Sequence, residues 1–264
     1  MSGSCCAVVE IPPAEELDRA RLTVAVFRPD DERIREAVEL LDSLGATAIP
    51  DPMLAVEATG RTPDAAEYVV FTSKTGAELV AEAGWEPRDS AVCAIGPKTA
   101  EALRTAGYPV DVVPEEYTSA GLVAALEPHV ADARVEVARS DHGSPVLLDG
   151  LRAADAEVNE TVLYRLVRPP VAGRSAELAA AGEVDAVCFT SSLTVEHFLD
   201  AAAERGVRDA ALDGLAGAVV GAIGDPTRRT AESHGVDVDV VPSEATFAAL
   251  ATETVETAAP THHE

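Results

Sequence analysis

Short apolar runs alternate with segments of helical periodicity along most of the chain. Residues 22–27 form an apolar run of the β type, and residues 30–44, which follow it, carry apolar side chains at helical spacing. The runs at residues 68–71 and 91–95 are also followed by helical segments. Strands that alternate with helices of this length predict parallel sheets joined by right-handed crossovers. The predicted fold class is therefore α/β.

The order of these segments is repeated in the second half of the chain. The string AIGPKT begins at Ala94 and AIGDPT begins at Ala222, 128 residues later, and the shorter strings VFTS and CFTS precede them at residues 70–73 and 188–191. Solenoid repeats have periods of only about 20–50 residues, so a match at this distance indicates a duplicated domain. We therefore predict two similar parallel-sheet lobes with a cleft between them, where ligands usually bind. The pattern alone divides the lobes in tandem near Ala131.

Both copies end in the string VDVVP. Its β-branched residues predict a third strand in each copy, at residues 110–113 and 238–241. Gly107 stands shortly before the first string and is placed to end the preceding helix, and Gly235 stands at the same point of the second copy.

The chain is strongly acidic, with 46 Asp and Glu against 20 Lys and Arg and a formal net charge of −26 over 264 residues. The acidic residues are spread over helical segments and are not gathered in a tail. Such a surface repels itself at low ionic strength, and salt near 1 M shortens the screening length to about 3 Å. We expect a protein adapted to a salt-rich (halophilic) cytoplasm. The charge also argues against a nucleic-acid partner, which needs a basic surface.

The sequence contains no recognisable membrane span, secretory signal or pattern of metal-ligating cysteines. No apolar run approaches the ~20 residues of a membrane span, and residues 1–20 lack the basic start and apolar core of a secretory signal. We therefore expect a cytoplasmic protein with no membrane partner. Cys93 and Cys188 fall within predicted strands, while Cys5 and Cys6 lie in the N-terminal extension, and none has metal-ligand spacing. No metal site is predicted.

Four predicted strand-to-helix turns carry polar side chains. They are TSK at residues 72–74, GPKT at 96–99, TSS at 190–192 and GDPT at 224–227. In an open parallel sheet, ligands bind beyond the carboxyl ends of the strands, and the free N–H groups of a helix start favour an anion. Ordinary capping by Ser or Thr explains any one turn. All four in register, with both lysines of the chain among them, favour anion binding.

Arginines stand at the ends of the two matching first strands. Arg28 and Arg139 are either surface charges or clamps for a carboxylate. Together with basic residues of the turns they are predicted to form an electropositive patch on an acidic body. The patch comprises Arg28, Lys74, Lys98, Arg139, Arg228 and Arg229. It suggests a ligand with several negative charges spread over a large area.

The sequence contains no P-loop, no dinucleotide fingerprint and no pairing of a nucleophile with a base. Tyr164, which lies between the two predicted lobes, is the one side chain there that could deliver a proton. A tyrosine on an amphipathic strand is the alternative interpretation.

The strings FTSKTG, AIGPKTAEALRTAGYPVDVVP, ETVLYRLV and CFTSSLT, in that order, resemble the uroporphyrinogen-III synthase family over residues 22–250. That family is known for two α/β lobes joined by a two-stranded linker, with both termini contributing to one lobe. The resemblance implies a first lobe of residues 1–52 and 170–264 and a second lobe of residues 53–169. The linker strands are then expected near residues 50–58 and 160–170.

The resemblance also implies an activity. A lyase of this family closes linear hydroxymethylbilane, a polycarboxylate tetrapyrrole, to uroporphyrinogen III with ring D inverted and without a cofactor, in haem, sirohaem and cobalamin biosynthesis. Such a substrate suits turns that favour anions. Tyr164 matches a family tyrosine and would donate a proton to the departing hydroxyl. The substrate carboxylates would be held at family cleft positions, which here are Ser73, Thr99, Ser191 and Thr227.

The expected site therefore has Tyr164 as its catalytic residue. The residues expected to bind substrate are Arg28, Ser73, Lys74, Lys98, Thr99, Arg139, Ser191, Ser192, Thr227 and Arg228. Asp225 departs from the pattern, because it places a carboxylate near an expected anion site unless it faces solvent. We expect a monomer. The alternative function is a non-catalytic two-lobed protein that senses a ligand and regulates a partner.

Overall fold

The computed structural model describes residues 21–259, so the N-terminal extension with Cys5 and Cys6 lies outside the described residues. In chain order the strands are β1 (Thr23–Val26), β2 (Thr47–Pro50), β3 (Ala55–Ala58), β4 (Tyr68–Phe71), β5 (Ala91–Ala94), β6 (Arg134–Ser140), β7 (Glu157–Val167), β8 (Ala186–Phe189) and β9 (Val219–Ala222). The helices are α1 (Glu32–Ser43), α2 (Lys74–Glu82), α3 (Pro97–Thr105), α4 (Ser119–Leu126), α5 (Pro145–Ala153), α6 (Arg174–Ala180), α7 (Ser192–Glu204), α8 (Arg208–Ala216), α9 (Asp225–Ser233) and α10 (Phe247–Ala258).

The strands form two sheets. One has the order β2–β1–β8–β9, with every neighbouring pair parallel. The other has the order β3–β7–β6–β4–β5, and only its edge pair β3–β7 is antiparallel. We call these sheets, with the helices packed on them, the four-stranded unit and the five-stranded unit. The predicted α/β class with mainly parallel sheets is confirmed.

Both faces of the four-stranded sheet are covered. Phe27, Phe189 and Phe198 cluster on the face that carries α6 and α7, and the rings of Phe27 and Phe189 stack with centroids 4.9 Å apart. Val26 and Leu250 belong to the core on the opposite face, with α1 and α10. A parallel strand that is buried on both faces has a continuous run of apolar residues in its sequence, and such runs predict these strands.

The five-stranded sheet is covered in the same way. Phe71, Trp85 and Tyr108 pack edge to face beside α2 and α3, with ring centroids 5.4 and 5.5 Å apart. Leu126 and Leu147 bring α4 and α5 onto the other face. No described helix is both long and apolar enough to cross a membrane.

The two sheets take their strands from different stretches of the chain. The four-stranded sheet uses residues 23–50 and 186–222, and the five-stranded sheet uses residues 55–167. A tandem division near Ala131 is therefore wrong for the sheets, because β6 follows that residue and pairs with β4. Sequence periodicity could not show this, since it identifies strands but not their partners.

The third strand predicted in each copy does not form. Residues 110–113 make a single bridge to β5 through Val112, and residues 238–241 make a single bridge to β9 through Val240. The helices before them end as predicted, with Gly107 and Gly235 in left-handed conformations at φ +88° and +82°.

An aspartate side chain ends each of these pairings. The Asp111 carboxylate accepts a hydrogen bond from the Val92 amide at 2.8 Å, and the Asp239 carboxylate accepts one from the Val220 amide at 2.8 Å. A side chain thus occupies the position of a main-chain acceptor, and the ladder stops there. The repeated VDVVP string encodes this cap on the sheet edge and not a strand.

Candidate functional site

Tyr164 lies at the carboxyl edge of the five-stranded sheet, near the end of β7. The residue is only 7% exposed, and its phenol donates to Oγ of Ser73 at 3.0 Å. Ser73 is the N-cap of α2, and the same oxygen accepts from the Gly76 amide at 3.0 Å. Because the Ser73 hydroxyl accepts both bonds, its own proton is free for a further acceptor.

A β-bulge aims Tyr164 at this helix start. In the parallel β6–β7 pair, Arg139 lies opposite Val162 and the next residue, Ser140, lies opposite Tyr164, so Leu163 is skipped. Leu163 and Tyr164 consequently pack into the same core cluster although they are neighbours in a strand. A bulge is a common device for re-aiming a side chain beside a functional site.

A cavity of about 190 Å³ opens beside the Tyr164–Ser73 pair. Its polar lining consists mainly of hydroxyl groups from three neighbouring helix starts and the end of β6. The residues that matter here are Ser73, Ser119, Arg139, Ser140, Ser144 and Tyr164. Hydroxyl groups at helix starts beside a guanidinium suit an anionic group.

Arg139 reaches this cavity but is already paired. Its side chain is 8% exposed, its Nε lies 2.5 Å from Oε1 of Glu160, and its Nη1 donates to the Ser144 carbonyl at 2.6 Å. Gly143 lies against the same side chain, because a Cβ at that position would come within 2.5 Å of Arg139 Cδ. The charge of Arg139 is therefore balanced within the protein.

Arg28 occupies the matching position after β1 in the four-stranded unit. Its guanidinium carbon lies 4.8 Å from the ring centroid of Phe247, and its buried Nε has no hydrogen-bond partner. No carboxylate of the described residues forms an ion pair with it. Burial, followed by the nearby charge of Arg33, lowers the pKa of Arg28.

The starts of α7 and α9 are linked to each other. Ser191 caps α7 in a reciprocal capping box with Thr194. Ser192 donates to the Pro226 carbonyl in the first turn of α9 at 3.2 Å and accepts from Thr230 at 2.9 Å. These hydroxyl groups therefore hold two of the predicted anion-binding turns side by side.

The starts of α3 and α9 are built alike. Gly96 and Gly224 are their N-caps, and no side chain caps the free amides of either helix. Thr99 and Thr227 follow at the third helical position, and both are buried. Such uncapped amides are available to an external anion.

Comparisons with known proteins identify the family. Residues 35–252 match the sequence model described as uroporphyrinogen-III synthase HemD. A Methanothermobacter thermautotrophicus protein, whose name gives uroporphyrinogen-III synthase as a provisional assignment, is 36% identical over 230 residues, or 81% of this chain and 90% of that protein. The chain belongs to the uroporphyrinogen-III synthase family.

Two solved structures share the fold of this family member. A mutant uroporphyrinogen III synthase from Thermus thermophilus has a TM-score of 0.62 at 22% identity, and the match covers 90% of this chain and 98% of that one. The Helicobacter pylori uroporphyrinogen-III synthetase has a TM-score of 0.61 at 13% identity, covering 90% of this chain and all of the other. These structures show the shared fold, and the sequence matches confirm the family resemblance of the motifs.

The structure brings three of the predicted site residues to one cavity, namely Tyr164, Ser73 and Arg139. Two predicted basic residues are paired within their own helices instead. Lys74 lies 3.2 Å from Glu78, and Arg228 contacts Asp225 at 2.9 Å. These pairs reduce the positive charge expected at both helix starts.

Asp225 and Lys98 are both exposed, but only Asp225 has an ion-pair partner among residues 21–259. Asp225 is exposed and held by Arg228, which agrees with the interpretation that its carboxylate faces solvent. Lys98 is exposed and makes no ion pair within residues 21–259, so it remains free to meet an anion.

Sequence reasoning missed Ser140, which lines the cavity, and Glu160, which pairs with Arg139. Ser140 follows Arg139 directly, and the likeness of Arg139-Ser140-Asp141 to Arg28-Pro29-Asp30 could have drawn attention to it. Glu160 carried no signal, because its pairing with Arg139 depends on the β6–β7 register.

Both described thiols are shielded from reaction. Cys93 and Cys188 lie in β5 and β8 as predicted, and burial raises the pKa of each to about 12. A thiol held neutral in this way is a poor nucleophile and a poor metal ligand. These cysteines act as small apolar core residues.

Proposed function

We propose that the protein is a lyase that closes linear hydroxymethylbilane to uroporphyrinogen III, with ring D inverted and without a cofactor, in tetrapyrrole biosynthesis. Membership of the uroporphyrinogen-III synthase family supports this function. The observation that carries the proposal is the Tyr164–Ser73 pair, a buried proton donor at the start of α2 on the carboxyl edge of a mainly parallel sheet.

In the proposed reaction, Tyr164 gives its phenolic proton to the terminal hydroxyl group of the substrate as the C–O bond breaks. Water leaves, and an azafulvenium cation and the Tyr164 phenolate remain. Ring D attacks the methylene of this cation through its substituted carbon to form a spiro intermediate. The bond from that carbon to the bridge with ring C then breaks, and the methylene left on ring C is attacked by the unsubstituted carbon of ring D. That carbon loses its proton, which restores the phenol. A phenol is protonated at neutral pH and can act as this acid.

The larger task of the enzyme is to position the substrate. Without the enzyme, the same substrate closes with ring D in its original orientation. Selecting the inverted product therefore requires one folded geometry of the chain of pyrroles, and proximity and orientation supply that selection better than acid strength.

We assign the substrate carboxylates to the helix starts. The residues proposed for this role are Ser73, Thr99, Ser191 and Thr227, supported by their places at the starts of α2, α3, α7 and α9. Arg28 and Lys98 make no ion pair in the described part of the chain and would add positive charge. We expect a weaker role for Lys74, Ser192 and Arg228, since each already has a protein partner.

The predicted division into lobes is part of the proposal. The first lobe comprises residues 1–52 and 170–264, the second comprises residues 53–169, and the substrate occupies the cleft between them. The separate sheets support this division, as does the antiparallel β3–β7 pair, which lies where the linker strands are expected. We propose a monomer in a salt-rich cytoplasm, in view of the net charge of −26.

The test is an assay of purified protein with hydroxymethylbilane at low and high KCl, followed by chromatographic separation of the type I and type III isomers. The proposal expects type III product. Type I product alone, in the amount formed without enzyme, would refute it. Binding of the tetrapyrrole without turnover would support the ligand-sensing alternative.

Tyr164→Phe tests the proton donor in the same assay. We expect kcat to fall by roughly tenfold to a hundredfold, at or below the low end of the range of about 10²–10⁴ for general acid catalysis, because positioning dominates. Tyr68→Phe is the control. Tyr68 lies at the amino end of β4, whereas Ser73 follows the carboxyl end of that strand, and the Tyr68 hydroxyl donates only to the His129 carbonyl at 3.3 Å. Unchanged turnover in Tyr164→Phe removes Tyr164 from the mechanism.

A further inference from the structure

The ion pair between Arg139 and Glu160 lies at the point where the β6–β7 ladder becomes irregular. Pairing is regular from Arg134 to Arg139, and Leu163 is skipped immediately afterwards. Glu160 stands opposite Val137, so the pair joins the two strands diagonally across the last regular rungs. It therefore fastens β6 to β7 just before the bulge that aims Tyr164.

The loop after β6 holds β7 on the other side of the bulge. The Asp141 amide donates to the Tyr164 carbonyl at 3.2 Å, and the Asp141 carboxylate accepts from the Leu166 amide at 3.1 Å. Arg139 closes this loop, because its Nη1 donates to the Ser144 carbonyl at 2.6 Å. One arginine thus contacts both the regular part of the ladder and the loop that continues it.

Gly143 allows Arg139 to take this path. A Cβ on residue 143 would lie 2.5 Å from Cδ and 2.6 Å from Nη1 of Arg139. Atoms cannot approach so closely, so any side chain at this position must displace the arginine or the loop. Gly143 and Glu160 therefore act on the same side chain from different directions, one by shape and the other by charge.

We propose that Arg139, Glu160 and Gly143 form a clamp whose role is to hold the bulge at Leu163 and thereby keep the Tyr164 phenol on Ser73. In this proposal Arg139 is a positioning residue and not a ligand of the substrate, and Glu160 and Gly143 are further positioning residues. The consequence for catalysis rests on the proposed function, but the geometry of the clamp does not.

The kinetic test uses Glu160→Gln and Gly143→Ala, each also made in a Tyr164→Phe background. If the clamp acts through Tyr164, each variant lowers kcat roughly tenfold, changes KM little and raises the share of type I product. In the Tyr164→Phe background the same changes have no further effect on kcat. An equal loss of kcat in both backgrounds would overturn the proposal, because a purely structural role does not depend on the phenol.

Glu157→Gln is the matched control. Glu157 lies on the same strand, is exposed and forms no ion pair with any described residue. Glu157→Gln removes one negative charge, as Glu160→Gln does, but should keep the kcat and isomer ratio of the parent. Gly143→Ala changes no charge, so agreement between it and Glu160→Gln excludes a general electrostatic effect.

A second measurement needs no substrate. Ring-labelled tyrosine gives an NMR signal for Tyr164, which is assigned by its loss in Tyr164→Phe. We expect this signal to shift in Glu160→Gln and Gly143→Ala and to stay in place in Glu157→Gln. An unmoved signal overturns the clamp even if the enzyme makes type III product. A shifted signal in a protein that makes no type III product supports the clamp while the proposed function fails.

Discussion

The two units carry an arginine at matching positions of the repeat, Arg139 at the end of β6 and Arg28 shortly after β1, yet the two side chains have opposite surroundings. Arg139 is nearly buried and paired with Glu160, whereas Arg28 lies over Phe247 with an unsatisfied Nε. The partners come from β7 and α10, elements outside the matching segment. The sequence repeat therefore preserves the position of a charge, but neighbouring elements decide whether that charge is paired within the fold.

The copies also differ inside the matching strands. Glu136 of β6 is only 1% exposed and is hydrogen-bonded to Thr161, while the corresponding residue of β1 is Ala25. In contrast, Asp111 and Asp239 cap their sheets with the same bond at the same distance. Backbone capping is common to both units, whereas of these two matching strands only β6 carries a buried carboxyl group.

The strongest predicted changes come from replacing Arg28 and Arg139, and they differ in kind. Arg28→Ala should raise KM roughly tenfold, since a charge-assisted hydrogen bond to a substrate carboxylate is worth about that factor, and should leave the thermal midpoint of unfolding nearly unchanged. Arg139→Ala should lower that midpoint clearly, because it leaves Glu160 without its partner in a partly buried site. Steady-state kinetics and calorimetry measure the two effects. Equal changes in KM and in thermal midpoint for both variants would contradict the different roles assigned to the two arginines.

A smaller effect tests the feature that the units share. Asp111→Ala and Asp239→Ala should each lower the free energy of unfolding by about 1–2 kcal/mol, because each leaves a strand amide without its acceptor. Urea unfolding measures this. Asp111→Asn, which keeps a side-chain oxygen, is the control and should cost less. A loss at one site and none at the other would show that the units are not equivalent at their edges.

The smallest effect tests the buried carboxyl. Burial raises the pKa of Glu136 above its unfolded value near 4.3. A raised folded pKa means that this group supports the fold fully below the unfolded pKa and loses that contribution as pH rises through the folded pKa. Glu136→Gln does not titrate, so the difference in thermal midpoint between the variant and the parent should shift in favour of the variant as pH rises above about 4. A difference independent of pH would contradict this assignment.

The sequence predicts the ends of several helices correctly but predicts two strands that do not form. The helix starts at Ser73 and Ser191 and the helix ends at Gly107 and Gly235 follow from local chemistry, and all four form as expected. The strands predicted at residues 110–113 and 238–241 fail, because an aspartate oxygen competes with the main-chain ladder and no propensity scale includes that competition.

Contacts within the candidate site also depend on features that sequence periodicity does not contain. The sequence indicates both Tyr164 and Ser73 as site residues, but their contact depends on skipping one residue in the β6–β7 register, and periodicity cannot locate such a bulge. The pairing of Arg139 with Glu160 depends on the same register, so a side chain expected to bind the substrate lies in an internal ion pair.

Local periodicity and motifs of a few residues were sufficient to predict the α/β class, the family and the helix starts. The partners of each strand in its sheet, the direction of Tyr164 and the pairing of Arg139 but not Arg28 became known from the folded chain. Those features depend on contacts between residues far apart in the chain, and the energy of such a contact is set by register and burial, which no local pattern contains.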